Sequence, residues 1–289
     1  MPCYVNLPLR WTHKQPAWTD WFVSGRMSPE LGLDAGAIAL PDVWHRDMAA
    51  RFADAGLACS IHLPFWDVDP GDSDAGKAAR AKDDLRRGAE LARMYNARHM
   101  VGHPYYRTKY GEKALDAWLE ASRQIWPELP CIAGTPLFLE NTYETSPDAI
   151  VALVGSLQEE MAAGPGIGIC FDVGHWHSFG GKDTPEELDP WLDGFCPFPL
   201  HLHLHDNDGS SDQHLGMGAG DIPYDALWTK LDTRKKMVTA TLEPHNTEAF
   251  AANIAWMDAH AAVANALGWS APRMEALPLA EIEKSIAKA

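Results

Sequence analysis

The chain has 289 residues, a hydrophobic content of 46% and a formal charge of −16 at pH 7. This length and content suffice for one large domain, and the acidic balance disfavours partners that bind through a phosphate backbone. Apolar runs are interrupted by charges, and the first residues lack a signal-peptide pattern. The five cysteines are scattered without a Cys-x-x-Cys pair. We therefore expect a cytoplasmic protein with no membrane partner.

Eight short apolar segments, most of them followed by a helical pattern, are predicted as strands. In chain order they lie near residues 3–7, 30–34, 58–62, 98–103, 136–140, 167–172, 200–205 and 238–243. Helices are predicted at 41–55, 74–96, 110–126, 147–162, 223–231 and 246–264. Asp74, Ser146 and Pro147 are the expected helix starts, whereas the helices after the first and sixth strands are poorly defined.

Alternation of strand and helix predicts a parallel sheet. Eight such units in about 250 residues match a single-domain (β/α)8 TIM barrel. A doubly wound open sheet is the alternative, but no glycine-rich phosphate-binding fingerprint follows the first strand. We assign residues 1–265 to the barrel, and residues 266–289, with the amphipathic segment LPLAEIEKSIAKA, to an extension that packs on the barrel or trails from it.

Side chains that can bind a metal ion end six of the predicted strands. They are His62, His103, Glu140, Asp172, His203 and Glu243. The carboxyl ends of barrel strands carry catalytic groups, and buried carboxylates without partners are costly unless they share a cation. A single histidine at a strand end is more often a hydrogen-bonded core residue, so the prediction of a metal site depends on the joint placement of all six.

The segment LHLHLH at residues 200–205 puts three histidines on one face of a strand, because side chains alternate. We expect His201 to lie deeper in the barrel and His205 to stand behind the ligands, neither with a role of its own. Two loops add a zinc-type ligand combination. His175 comes three residues after Asp172, and Asp212 and His214 lie two residues apart in a glycine-rich loop.

Seven motifs occur in a characteristic order: IHLPF (61–65), VGHP (101–104), LENT (139–142), FDVGH (171–175), HLHDN (203–207), DQH (212–214) with LGMGAG (215–220), and TLEPH (241–245). By these motifs the chain resembles the xylose isomerase-like TIM-barrel superfamily, which includes sugar isomerases and epimerases and endonuclease IV (AP endonuclease family 2). The resemblance runs from about Cys3 to His260, which is nearly the whole chain.

The resemblance to endonuclease IV implies three zinc ions and a matching residue for every ligand. The first ion would be bound by His62, His103 and Glu140. The second would share Glu140 and add Asp172, His203 and Glu243. The third would be bound by His175, Asp212 and His214.

The resemblance to sugar isomerases and epimerases implies one divalent ion, often manganese, at the positions of Glu140, Asp172, His203 and Glu243. Glu140 and Glu243 would then be the catalytic acid and base on opposite faces of the substrate, and His175 would contact the sugar. Aromatic residues near the strand ends are the predicted substrate-binding groups: Phe65, Trp66, Tyr143 and Trp176.

We therefore predict an isomerase or epimerase that depends on one to three divalent ions, Zn²⁺ or Mn²⁺, and acts on a sugar, sugar phosphate or related polyhydroxy compound by metal-assisted proton transfer. The alternative is a multi-zinc phosphodiester hydrolase, either an AP endonuclease or a small-substrate phosphoesterase, because nine ligand types are present. Nucleic acid is the less favoured partner, since only Arg107, Lys109 and Lys182 supply basic charge near the expected barrel mouth. A non-catalytic barrel is disfavoured because it has no need for the acidic ligands. The sequence does not specify the oligomeric state.

Overall fold

The computed structural model describes residues 2–72, 74–106, 112–161, 164–180 and 184–287. Eight parallel strands close into a barrel in sequence order, with the first strand paired to the second and the eighth. They are β1 (Tyr4–Pro8), β2 (Pro29–Gly32), β3 (Ser60–His62), β4 (Met100–Gly102), β5 (Leu137–Glu140), β6 (Ile167–Asp172), β7 (Leu200–Leu204) and β8 (Thr239–Leu242). The predicted single-domain (β/α)8 TIM barrel is confirmed.

Helices connect consecutive strands and surround the barrel. Those in the described part of the chain are α1 (Leu9–Lys14), α2 (Ala17–Gly25), α3 (Ala35–Ile38), α4 (Asp42–Asp54), α5 (Ala75–Met94), α6 (Glu112–Arg123), α7 (Glu128–Ala133), α8 (Asp148–Glu160), α9 (Val173–Phe179), α10 (Leu188–Phe195), α11 (Tyr224–Thr233), α12 (Thr247–Ala259), α13 (Ala261–Ala266) and α14 (Leu279–Ile286). None of these described helices has the length and apolarity needed to cross a bilayer.

The predicted helix starts are partly confirmed. Asp74 caps α5, because its carboxylate accepts the backbone N–H groups of Gly76 and Lys77 at 2.8 and 3.1 Å. Ser146 does not cap α8: that helix begins after Pro147, which makes no side-chain cap bond. The poorly defined regions after β1 and β6 contain α1, α2, α9 and α10. Each of the four is shorter than ten residues, so its apolar periodicity spans too few turns to stand out in the sequence.

The interior of the barrel is unusually polar, whereas branched aliphatic side chains normally fill it. Glu30, Ser60, His201, His203 and Thr241 are at most 1% exposed and contact one another across the strands. The leucines that alternate with the histidines of β7 belong to the main hydrophobic core. The predicted alternation in this strand is therefore confirmed, with its imidazoles on the inner face.

The C-terminal segment includes a helix that packs on the barrel's outer layer. In α14, Ser285 accepts a 2.9 Å hydrogen bond from the indole Nε1 of Trp18 in α2. Glu283 accepts the backbone N–H of Thr247 in α12 at 3.2 Å, and Ile282 is buried. These contacts attach the end of the described chain to two helices of the barrel.

Candidate active site

The metal-type side chains predicted at the strand ends meet at one rim of the barrel. His62, Glu140 and Asp172 are the last residues of β3, β5 and β6. His103 and Glu243 follow β4 and β8 directly. Because the eight strands are parallel, their carboxyl ends share one rim, so residues distant in sequence come together there.

Glu140 joins the first predicted ligand set. Its Oε2 lies 3.2 Å from Nε2 of His62 and 3.2 Å from Nε2 of His103. The same oxygen is 3.4 Å from Nδ1 of His203, and Glu140 is 1% exposed. The carboxylate thus stands between the first set and the second, as a bridging ligand would.

His203 is the centre of the second set. Its Nδ1 lies 3.2 Å from Oε1 of Glu243 and 3.8 Å from Oδ2 of Asp172, besides its contact with Glu140. Among the described residues this nitrogen has no hydrogen-bond partner, although it is completely buried. Three buried carboxylates around an unpaired imidazole nitrogen form a donor set that suits a divalent cation.

The third set also comes together. Oδ2 of Asp212 lies 3.5 Å from Nε2 of His175 and 3.2 Å from Nε2 of His214. His175 additionally approaches Oε1 of Glu140 at 3.3 Å through its Nδ1. All nine ligand positions implied by the resemblance therefore lie in one connected cluster.

Asp206 holds the loop that carries Asp212 and His214. Its backbone N–H and C=O both pair with Leu215 at 2.8 Å, and its carboxylate accepts the N–H groups of Gly218 and Ile222. Inside this closed loop, His214 has a positive φ of 49°. A non-glycine residue rarely adopts this conformation, and such residues collect at functional sites where the surrounding structure enforces them.

Backbone carbonyls fix the orientation of three imidazoles. The Nδ1–carbonyl pairs are His62 with Leu63 (2.9 Å), His175 with Asn141 (3.0 Å) and His214 with Glu243 (3.1 Å). Because a carbonyl oxygen can only accept, each Nδ1 carries a proton and each Nε2 is left facing a carboxylate. A lone pair against a carboxylate is repulsive unless a proton or a metal ion lies between them, so this geometry also suits bound cations.

The two glutamates at the centre differ in their affinity for protons. Burial acts to raise the pKa of Glu140, but the charges of His103 and His203 outweigh it and hold the pKa well below its usual range. Burial raises the pKa of Glu243 above its usual value, because His203 and His214 oppose it only in part. One carboxylate is therefore ionised more readily, and the other holds its proton more firmly.

His205 lies behind the predicted ligands, as expected from the sequence, whereas Glu30 was missed by the sequence reasoning. Nε2 of His205 lies 3.2 and 3.3 Å from the two carboxylate oxygens of Asp172, and its ring stacks on His214 with centroids 3.8 Å apart. Glu30 lies in β2 on the inner side of His203. The available signal for Glu30 was an acidic residue within the otherwise apolar segment PELGL.

Two adjoining cavities open at this rim. One, of about 380 Å³, is lined by predicted ligands including Glu140 and Glu243, and the other, of about 660 Å³, extends outward. Phe65 and Trp66 line both cavities, and Tyr143 lines the larger. Volumes of this size suit small-molecule ligands.

Trp176 does not reach either cavity, contrary to the sequence expectation. It is completely buried in the hydrophobic core beside Phe171. Successive residues of a helix point about 100° apart, so once His175 of α9 faces the rim, the next side chain is turned into the core. The tryptophan contributes to packing instead.

The basic residues named from the sequence, Arg107, Lys109 and Lys182, lie outside the described residues. Within them, Lys77 and Arg80 line the larger cavity, together with acidic side chains from the preceding loop. The described surface of this cavity is therefore mixed in charge rather than basic.

Comparisons with known proteins agree with this architecture. No curated protein matches the chain. Among solved structures, the TTHB071 protein from Thermus thermophilus, soaked with ZnCl2, is 26% identical, with a TM-score of 0.70 and coverage of 91% of this chain and 99% of that one. A D-tagatose 3-epimerase-like protein is 20% identical, with a TM-score of 0.66 and coverage of 82% and 89%. A D-psicose 3-epimerase from Clostridium cellulolyticum H10 is 14% identical, with a TM-score of 0.61 and coverage of 84% of both chains.

A family model described as a xylose isomerase-like TIM barrel matches residues 27–260. This range begins just before β2 and ends just after α12, so it contains seven of the eight strands and every residue of the three ligand sets. The chain belongs to the xylose isomerase-like TIM barrel family.

Proposed function

We propose that the protein is a divalent-metal-dependent isomerase or epimerase of a sugar, sugar phosphate or related polyhydroxy compound. The observation that carries this proposal is that the carboxylates of two glutamates approach the same imidazole nitrogen. Oxygens of Glu140 and Glu243 lie 3.4 and 3.2 Å from Nδ1 of His203, at the floor of a cavity open to small molecules. Membership of the family and the epimerases among the structural neighbours support it.

The cation would be held by Glu140, Asp172, His203 and Glu243. When bound there, a divalent ion polarises neighbouring substrate oxygens and acidifies the adjacent carbon-bound proton. One of the two carboxylates, Glu140 or Glu243, would accept this proton, and the other would return a proton to the opposite face of the carbon.

Other residues of the rim would orient the substrate. His175 is only partly buried and lines both cavities, so it can hydrogen-bond to a substrate hydroxyl. Phe65, Trp66 and Tyr143 offer apolar ring faces against which the C–H faces of a sugar can pack. The mixture of a few polar groups and aromatic walls is typical of small-molecule sites.

Solvent isotope exchange tests the proposal directly. The protein, loaded with Mn²⁺ or Zn²⁺, is incubated in D2O with a panel of ketoses that includes D-tagatose and D-psicose, and NMR follows deuterium entering the carbon skeleton. We expect exchange by the wild type and its loss in Glu140→Gln and Glu243→Gln. Glu159→Gln, which changes an exposed carboxylate of α8, is the matched control and should retain exchange. Full exchange in both buried variants would contradict the proposal.

A second candidate is a multi-zinc phosphodiester hydrolase of the endonuclease IV type. One observation favours it: His175, Asp212 and His214 come together as a third ligand set, which a one-ion isomerase does not need. Elemental analysis of the purified protein separates the two. About three zinc ions per chain, with hydrolysis of bis(p-nitrophenyl) phosphate or of an abasic-site duplex, would favour the hydrolase. One exchangeable manganese or zinc ion would favour the isomerase.

A further inference from the structure

Glu30 is a buried carboxylate that the proposed chemistry does not use. It lies in β2, is 1% exposed and belongs to none of the three ligand sets. Its Oε1 is 2.9 Å from Nε2 of His203, closer than any of the carboxylates that approach the Nδ1 of the same ring. The imidazole of His203 therefore has a carboxylate at each of its two nitrogens.

Neighbouring strands hold the other oxygen of Glu30. Its Oε2 accepts hydrogen bonds from the hydroxyl groups of Ser60 in β3 and Thr241 in β8, both at 3.0 Å. A carboxylate only accepts hydrogen bonds, so both hydroxyl protons point toward Oε2. This arrangement directs Oε1 toward His203.

The hydrogen bonds continue to the innermost histidine of β7. Because the proton of Thr241 is given to Glu30, the Thr241 oxygen accepts the Nε2–H of His201 at 3.0 Å. The Nδ1 of His201 then accepts the hydroxyl of Thr239 at 2.7 Å. This chain accounts for both nitrogens of His201 without a metal ion and assigns it a neutral, structural role.

We infer that Glu30 is a positioning residue for His203. Its Oε1 lies 2.9 Å from Nε2, although neither atom completes a hydrogen bond within the described residues; with a cation on Nδ1 it would receive the Nε2–H and so present the Nδ1 lone pair to the carboxylates above. Metal-bound histidines usually donate their other N–H to such an acceptor, which fixes the ring and raises its basicity. His62, His175 and His214 have carbonyl acceptors, whereas His203 has a charged one. The inference rests on the proposed metal centre.

Zinc and manganese affinities measured by calorimetry test the inference. The relevant binding step is the one that a His203→Ala variant abolishes. In Glu30→Gln we expect that step to weaken by about 10- to 100-fold, which is typical when the acceptor behind a metal-bound histidine is lost. Thr241→Val removes the hydroxyl that orients Glu30 and accepts the Nε2–H of His201 but leaves the Glu30 carboxylate in place, so we expect a smaller loss. Thr239→Val, which removes a hydroxyl that hydrogen-bonds to His201, is the matched control and should keep wild-type affinity.

A second readout needs no metal. In ¹⁵N-histidine-labelled, metal-free protein, the His203 signals should show a protonated Nε2 and an unprotonated Nδ1 when the ring is neutral, and this preference should be lost in Glu30→Gln. Circular dichroism and thermal unfolding establish that each variant is folded. If Glu30→Gln does not fold, the metal affinity and the His203 tautomer of Thr241→Val test the inference instead.

Wild-type affinity and an unchanged tautomer in the folded variants would overturn the inference while leaving the metal centre intact. An equal loss in Thr239→Val would also overturn it, because that result marks a general disturbance of the interior. A wild-type chain that binds neither ion would overturn both the inference and the proposed function.

Discussion

A Cβ atom on Gly174 would lie 1.9 Å from Cε1 of His205, so the first turn of α9 and the end of β7 touch with no space for a methyl group. This close approach holds the His205 ring against the carboxylate of Asp172. Gly174 is thus required by packing beside Asp172, a proposed metal ligand.

Gly174→Ala should force the imidazole of His205 away from Asp172. We expect a loss of stability of about 1–3 kcal/mol from overpacking and a metal affinity at least tenfold lower, measured by urea unfolding and calorimetry. Gly155→Ala is the control, because Gly155 is also helical and a Cβ there meets only Phe198 at 3.9 Å. Gly155→Ala should be more stable than the wild type by up to about 1 kcal/mol and should bind metal with wild-type affinity. Equal behaviour of the two variants would refute the role of this contact.

His214→Ala separates the one-ion from the multi-ion mechanism. The variant removes the imidazole that faces Asp212 but leaves the Glu140, Asp172, His203 and Glu243 set intact. If the protein is an isomerase, isotope exchange should stay within a few-fold of the wild-type rate. Collapse of exchange, with His260→Ala unaffected, would show that the third ligand set takes part in the chemistry.

Trp66→Ala should weaken substrate binding without affecting stability. The indole is 77% exposed and lines both cavities, so it contributes little to the core. Loss of its packing against a substrate predicts a KM about two- to tenfold higher with unchanged kcat and Tm. The control is Val43→Ala, an exposed apolar residue of α4 that lines neither cavity. A lower kcat at constant KM would place Trp66 in the catalytic step instead.

Glu144 should make stability depend on pH. Burial raises its pKa to about 7 from the usual 4.5. The folded protein therefore keeps the proton that the unfolded chain releases above about pH 4.5, and stability is fully present below that pH and falls as pH rises toward 7. The free energy of unfolding of Glu144→Gln, relative to that of the wild type, should therefore rise by about 3 kcal/mol as the pH is raised from 4.5 to 8.

Urea unfolding at the two pH values measures this gain. Glutamine keeps an oxygen that can accept the N–H of Thr142. The exposed Glu159→Gln variant should show no such pH-dependent difference. A Glu144→Gln advantage that is the same at both pH values would contradict a raised pKa.

The barrel and most of the site could be predicted because each depends on short-range patterns. His62, Glu140 and Asp172 end their strands, and parallel strands bring their carboxyl ends to one rim whatever the loops between them do. Phe65 and Trp66 come three and four residues after the end of β3 and therefore also reach the rim.

The predictions that were wrong or missing concern contacts that depend on which face of a helix a residue occupies or on which strands face each other across the barrel. The sequence of the Trp176 segment indicates a loop, which predicts contact with the substrate. The segment forms the helix α9 instead, with His175 facing the rim and Trp176 buried in the core. Glu30 was overlooked because one acidic residue in a strand has no meaning until the opposite strand of the closed barrel is known. Its partner His203 lies across the interior on β7, and no local pattern joins them.

The carbonyl groups that receive the Nδ1 protons of His62, His175 and His214 belong to the main chain, which every amino acid supplies. No substitution at the neighbouring positions removes these carbonyl groups, so the backbone conformation alone determines the orientation of those three rings. His203 is different, since the acceptor that we infer for it, Glu30, is a side chain that a single mutation can remove. Among these four imidazoles, the orientation of His203 is therefore the most sensitive to mutation.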